Sequence, residues 1–177
     1  MLPATNIFVY AERLLQKDAG ADAVKFQILD PDRLVADKTQ LFSYGILKEK
    51  NSEELEIIEE PLYDILKRRY LTPEQWKELK QYCDSLDLAF FARAGFDEEI
   101  DVLFDLGCDS IKIASADVNH LPLLKKAAIT GMCIQLDTGM ASLGEIENAV
   151  DVIRGEGNED IIIHHCPSGY PARLESI

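Results

Sequence analysis

"GCDSIKIASADVNHLPLL", residues 107–124, carries the reading of this chain. Ile111, Ile113 and Ala114 make an apolar run of strand length, yet Lys112 stands inside it. Gly107 closes what precedes, and Ser115 and Asp117 follow before apolar residues return at Leu121. A strand so marked is either a sheet edge blunted by charge or the rim of an active site. The neighbouring segments decide between the two.

Four further runs resemble "SIKIAS" (110–115): "AVKFQIL" (23–29), "LAFFARA" (88–94), "MCIQLDT" (132–138) and "DIIIHHC" (160–166). Their near-continuous hydrophobicity predicts a parallel sheet covered on both faces. Helical stretches alternate with them. "LTPEQWKELKQYCDSL" opens with Thr72 as N-cap, Pro73 at the first helical position and Gln75 as capping-box partner. "DEEIDVLFDLG", "LPLLKKAAITG" and "ASLGEIENAVDVIRGEG" each end on glycine, the usual C-terminal stop. From the second strand onward, strand starts recur roughly every 22–28 residues, the beat of a βα repeat. Such a repeat builds either a doubly wound sheet or a (β/α)8 barrel. Residues 30–70 interrupt it as an insertion after the first strand, and the acidic "NSEELEIIEE" (51–60) reads as a solvated helix face. "GEGNED" (155–160) follows a helix instead of a strand, so it reads as a plain turn and not as a nucleotide-binding loop.

At 177 residues, with 47% hydrophobic and 28% charged side chains, the chain has the size and composition of one folded domain. Its net charge of −14, from 32 acidic and 18 basic residues, argues against a nucleic-acid partner, since no basic patch stands out. A few lysines converging in a cleft would still hold a small anion. Cys83, Cys108, Cys133 and Cys166 form no Cys-x-x-Cys pair, which argues against structural zinc and for a reducing compartment. "MLPATNIFVYAERLL" lacks a signal-peptide pattern, and no apolar run approaches the ~18–20 residues of a membrane span. A cytoplasmic protein with no membrane association is expected.

Ligands of parallel α/β folds gather at the carboxyl ends of the strands. Those ends carry Lys25 and Gln27, then Arg93, then Lys112, Ser115 and Asp117. Gln135, Asp137 and Thr138 come next, followed by His165, Ser168 and Tyr170. Lys25 and Gln27 are two apart and share a face. A lone strand lysine often pairs with a carboxylate of the next strand. Two buried strand lysines, an arginine and a serine at successive ends point instead to a bound phosphate or carboxylate. Asp137-Thr138-Gly139 also fits a turn that starts a helix. Of His164 and His165 at most one points inward, where a satisfied core histidine is expected. The cysteines read as small core hydrophobes.

"AGADAVKFQ" (19–27), "KIASADVNHLPLL" (112–124), "DTGMASLGEIENAV" (137–150) and "HCPSGYPARLESI" (165–177) resemble the N-acetylneuraminate (sialic acid) synthase family. That family includes legionaminate, pseudaminate and spore-coat polysaccharide synthases. The resemblance implies a transferase on a (β/α)8 TIM-type barrel, a homodimer in the family. The reaction it implies condenses phosphoenolpyruvate with an N-acylated hexosamine such as N-acetylmannosamine. The products are a nine-carbon 2-keto acid and phosphate, freed by C–O cleavage, and a divalent metal (manganese or magnesium) orients the sugar aldehyde and the attacking water. Carried over motif by motif, Lys25, Lys112, Ser115 and Ser168 would bind phosphoenolpyruvate. Gln27, Asp117 and Tyr170 would meet the sugar, with Asp117 and Lys112 catalytic. Ala92-Arg93-Ala94-Gly95 replaces the family's Ser-Thr-Pro-Phe, and Arg93 would add a phosphate contact or fill the pocket.

The resemblance is incomplete at both ends. A first strand bearing a glutamate and an Asn-His-x-Gly segment has no counterpart in "MLPATNIFVYAERLL". Two last strands bearing metal-binding histidines, and an antifreeze-like domain, would follow Ile177. The expectation is one α/β domain over residues 1–177, a partial barrel of about five parallel strands without metal ligands. Two other readings stay open. One is a family member that only binds anions or assembles with another chain; the other is a Schiff-base barrel aldolase with Lys112 as nucleophile.

Overall fold

The computed structural model describes residues 20–49, 53–169, 173 and 175. In chain order its elements begin with β1 Ala23–Gln27, α1 Pro31–Leu34, β2 Leu41–Leu47, β3 Leu55–Pro61 and α2 Leu62–Lys67. The βα repeat then follows: α3 Pro73–Ser85, β4 Ala89–Arg93, α4 Asp97–Asp105, β5 Ser110–Ile113, α5 Leu121–Ile129, β6 Cys133–Asp137, α6 Leu143–Gly155 and β7 Ile161–His164.

Five strands form one parallel sheet in the order β1-β4-β5-β6-β7. Each lies beside the next sheet strand along the chain, and the order never reverses. That is the winding of a barrel wall; a doubly wound sheet would reverse direction at a switch point. Local signals explain the helices between. Thr72 accepts from the Gln75 amide and the Gln75 side chain accepts from the Thr72 amide, and Ser142 and Glu145 do the same for α6. Gly107 and Gly131 leave α4 and α5 with φ of +69° and +75°, where a side chain would be strained.

Alternation along the strands separates two faces. Phe90, Ala92, Ile111, Ile113, Ile134 and Leu136 are buried on one. The helices that cover this face contribute Trp76, Leu79, Ile100, Leu103, Leu123, Leu124 and Ile153 to the same core. Trp76 stands edge-on to Phe26 and Phe90, with ring centroids 6.0 and 6.2 Å away. The other face carries Ser110, Lys112, Gln135, Asp137 and His164, all half-buried. The expected covering of both faces is corrected: among the described residues, helices cover only one.

Residues 29–71 form a second compact unit. Here β2 and β3 pair antiparallel, Leu41 opposite Pro61 and Leu47 opposite Leu55. Glu60 accepts from both terminal nitrogens of Arg68 and from the Tyr44 hydroxyl, which holds its carboxyl down at about 2. The helix face expected at 51–60 is corrected to a strand over its described part. Leu55 and Ile57 are separated by Glu56, a period of two, and β2 supplies a partner in register.

Candidate functional site

The polar face culminates at the carboxyl ends of its strands. Arg93 closes β4, and its guanidinium folds back across Gly95 so closely that any Cβ at residue 95 would collide with it. This lets Arg93 Nη2 donate to Asp117 Oδ2 at 2.7 Å, Asp117 ending the 3-10 turn Ser115–Asp117 beyond β5. Gly95 is held from below by its amide, which donates to Glu99 Oε2 at 2.7 Å. One strand further, Lys112 Nζ lies 2.8 Å from Asp137 Oδ2. The four side chains of these two ion pairs are only 16–20% exposed. Charges so far from water persist because each has a partner.

A second cluster gathers around the loop after β6. Gly139 has φ of +46°, and a Cβ there would lie 2.5 Å from Ser115 Cβ, 2.6 Å from Ser115 Oγ and 3.5 Å from Ser168 Oγ. Glycine thereby brings Ser115 and Ser168 together. The Gly139 amide donates to Cys166 Sγ at 3.3 Å, and Thr138 Oγ1 donates to the His164 carbonyl at 2.9 Å. Gln135 Nε2 donates to Ser110 Oγ at 2.6 Å.

Two buried atoms of this face have no hydrogen-bond partner among the described residues: Asp137 Oδ1 and His164 Nε2. They belong to residues directly opposite in the β6–β7 register. The satisfied core histidine expected at 164–165 is therefore corrected. His164 shares the polar face and its Nε2 is unsatisfied.

The structure brings Arg93, Lys112 and Asp117 to adjacent strand ends, and Ser115 next to Ser168. Gln27 stands opposite Arg93 but is exposed on the outer strand β1. Lys25 is exposed too, opposite Phe91 and two strands from Lys112, roughly 10 Å at normal strand spacing. The reading of two buried strand lysines is corrected to one, because β1 has no described strand on its outer side. Tyr170 lies outside the described residues.

Sequence reasoning leaves two residues without their roles. Asp137 stands there among the strand-end polar residues and also fits a helix-starting turn; in the structure it is the next-strand carboxylate with which a strand lysine often pairs. Asn158 lies in what reads as a plain turn. It is buried, donating through Nδ2 to the Ala128 and Met132 carbonyls at 3.2 and 2.9 Å. Cys83 and Cys108 are core residues whose thiols burial pushes up to about 11. Among the described residues no three His, Cys, Asp or Glu side chains converge into a metal-ligand set. No helix among them is long and apolar enough to cross a membrane.

A barrel wall with helices outside and an ionic rim at its strand ends defines a βα-barrel protein. The chain belongs to the NeuB family, whose model matches residues 15–177. It is 32% identical to an N,N'-diacetyllegionaminic acid synthase of Campylobacter jejuni, over 94% of this chain and 49% of that protein. It is also 32% identical to a pseudaminic acid synthase of Helicobacter pylori, over 90% of this chain and 45% of that one. In structure it resembles the N-acetylneuraminic acid synthetase of Leptospira borgpetersenii, with a TM-score of 0.76 and 26% identity, covering 96% of this chain and 53% of the other. The chain spans about half the length of these relatives, and its sheet is part of their TIM-like barrel.

Proposed function

We propose that this chain supplies the phosphoenolpyruvate-binding wall of a nonulosonic acid synthase. The observation that carries the reading is the ionic rim at successive strand ends, with Arg93, Lys112 and Asp117 beside Ser115 and Ser168. Phosphoenolpyruvate brings a phosphate and a carboxylate, which need cations and hydroxyl donors in a partly dry site. Lys112 takes one anionic group, Ser115 and Ser168 donate to it, and Arg93 and Lys25 add positive potential. Gln27 and Tyr170 meet the N-acylated hexosamine. The similar Leptospira synthetase was solved in complex with citrate, a small polyanion, which accords with a fold that takes small anions.

In the proposed reaction, C3 of phosphoenolpyruvate attacks the sugar's aldehyde carbon and a C–C bond forms. Water adds at C2, and the C2–O bond breaks to release phosphate. Asp117 is the rim's proton-transfer group, taking the proton that the attacking water loses and passing one to the former aldehyde oxygen, which becomes a hydroxyl. Arg93 fixes its carboxylate by the 2.7 Å contact. A second reading, an anion binder without turnover, has one observation in its favour: Arg93 and Lys112 each already carry a carboxylate.

Titrating phosphoenolpyruvate calorimetrically into the full 177-residue chain tests the proposal. Saturable binding that Lys112→Met abolishes and Lys25→Met weakens is expected. Phosphate release on adding N-acetylmannosamine would select the synthase over the silent binder. A folded chain that binds no phosphoenolpyruvate would overturn both.

A further inference from the structure

We propose that Asp137 is a built-in competitor at the anion site. Its carboxylate occupies the place on Lys112 that a substrate phosphate or carboxylate would take, and so restricts the site to anions that can displace it. The inference rests on the anion-binding reading above. At 2.8 Å, Asp137 Oδ2 and Lys112 Nζ make a charge-assisted contact, with the two side chains 16% and 17% exposed. An incoming anion must either share the ammonium with that carboxylate, against like-charge repulsion, or move it aside.

Asp137 is placed to move. Its second oxygen, Oδ1, is buried and has no hydrogen-bond partner among the described residues, so no further bond ties the carboxylate in place. Directly across the register on β7, His164 Nε2 is buried and equally unsatisfied. An imidazole N–H there would receive the carboxylate once an anion holds Lys112. Asp117 is held on a different strand end, by Arg93 Nη2 at 2.7 Å. Of the three cations on this face, only Lys25 has no carboxylate partner among the described residues, and it stands two strands away. The ligand class follows: dianionic phosphates, which interact with an ammonium more strongly than a single carboxylate does, pass this filter, and simple monocarboxylates do not.

Calorimetric titrations of inorganic phosphate, phosphoenolpyruvate and acetate into the full chain test this. The variants are Asp137→Asn, Asp137→Ser and the double variant Lys112→Met/Asp137→Asn. Both Asp137 variants should bind the two phosphates about tenfold more tightly than the wild type, and should begin to bind acetate. The double variant should bind none of them. Wild-type binding that either folded Asp137 variant leaves unchanged or weakens would overturn the competitor role and leave the anion site standing. Absence of binding by wild type and variants alike, each giving a folded circular dichroism spectrum, would overturn both. If Asp137→Asn does not fold, Asp137→Ser decides the matter in the same way, read also as a larger rise in Tm on adding phosphate than the wild type shows.

Discussion

Ile134 and Gln135 are neighbours in β6 and live under different physics. Ile134 is fully buried beneath the helices with Ile111, Ile113 and Leu136. Gln135 lies on the opposite face with Lys112 and Asp137, half-buried and donating to Ser110 Oγ. The apolar face is held by area, a non-directional term that any well-packed hydrophobe can supply. The polar face is held by pairs, in which each charge is tolerable only while its partner stays within contact. One face decides that the sheet forms; the other decides what it can bind. A mutation on the first spreads its cost over the fold, whereas one on the second strands a named partner.

Five substitutions, taken in three groups, would break or sharpen that contrast. The largest effect belongs to Leu136→Ala, which empties a fully buried site and should cost about 2–5 kcal/mol in urea unfolding. Gln135→Ala beside it loses one hydrogen bond and should cost about 1 kcal/mol. Equal costs for the two would erase the distinction between the faces. Next is Arg93→Met, which leaves the Asp117 carboxylate without its partner and should cost about 1–3 kcal/mol. Adding Asp117→Asn should return part of that loss. A double variant whose cost is the plain sum would mean that the pair is not coupled. The smallest is Ser142→Ala, which removes the cap of α6 and should lower stability by about 1 kcal/mol while leaving phosphoenolpyruvate binding intact. Lost binding in a variant of near-normal Tm would show that the cap acts on the rim as well.

Much of the architecture is legible in the sequence because its signals are local. The five strands fall where the apolar runs stand, and Thr72, Pro73 and Gln75 start α3 as their spacing predicts. The two faces are not legible. Phe90 and Phe91 are both apolar, as are Ile161, Ile162 and Ile163, and such runs hide the period-two alternation behind continuous hydrophobicity. The strand over Leu55–Pro61 escapes because a short acidic-apolar run fits helix and strand alike, and its partner β2 comes only through the fold. At the rim, Lys112 and Asp117 announce themselves as polar residues at a strand end. That Lys112 finds Asp137, and Arg93 finds Asp117, depends on which strands become neighbours and on a glycine beneath a guanidinium. Those are tertiary facts.

Asn158 sits far from all of this, at the foot of the sheet. Besides its two donated bonds, its Oδ1 accepts from the Asp160 amide at 2.9 Å, so a single amide side chain pins the residues from which β6 and β7 set out. A strand has parity: sliding it by one residue exchanges its odd and even positions. Were β7 to slip by one residue, Ile163 or His165 would face Asp137, according to the direction, and His164 would turn toward the helices. The composition of the rim therefore also depends on the opposite end of the sheet, where one neutral side chain ties the two strand starts together.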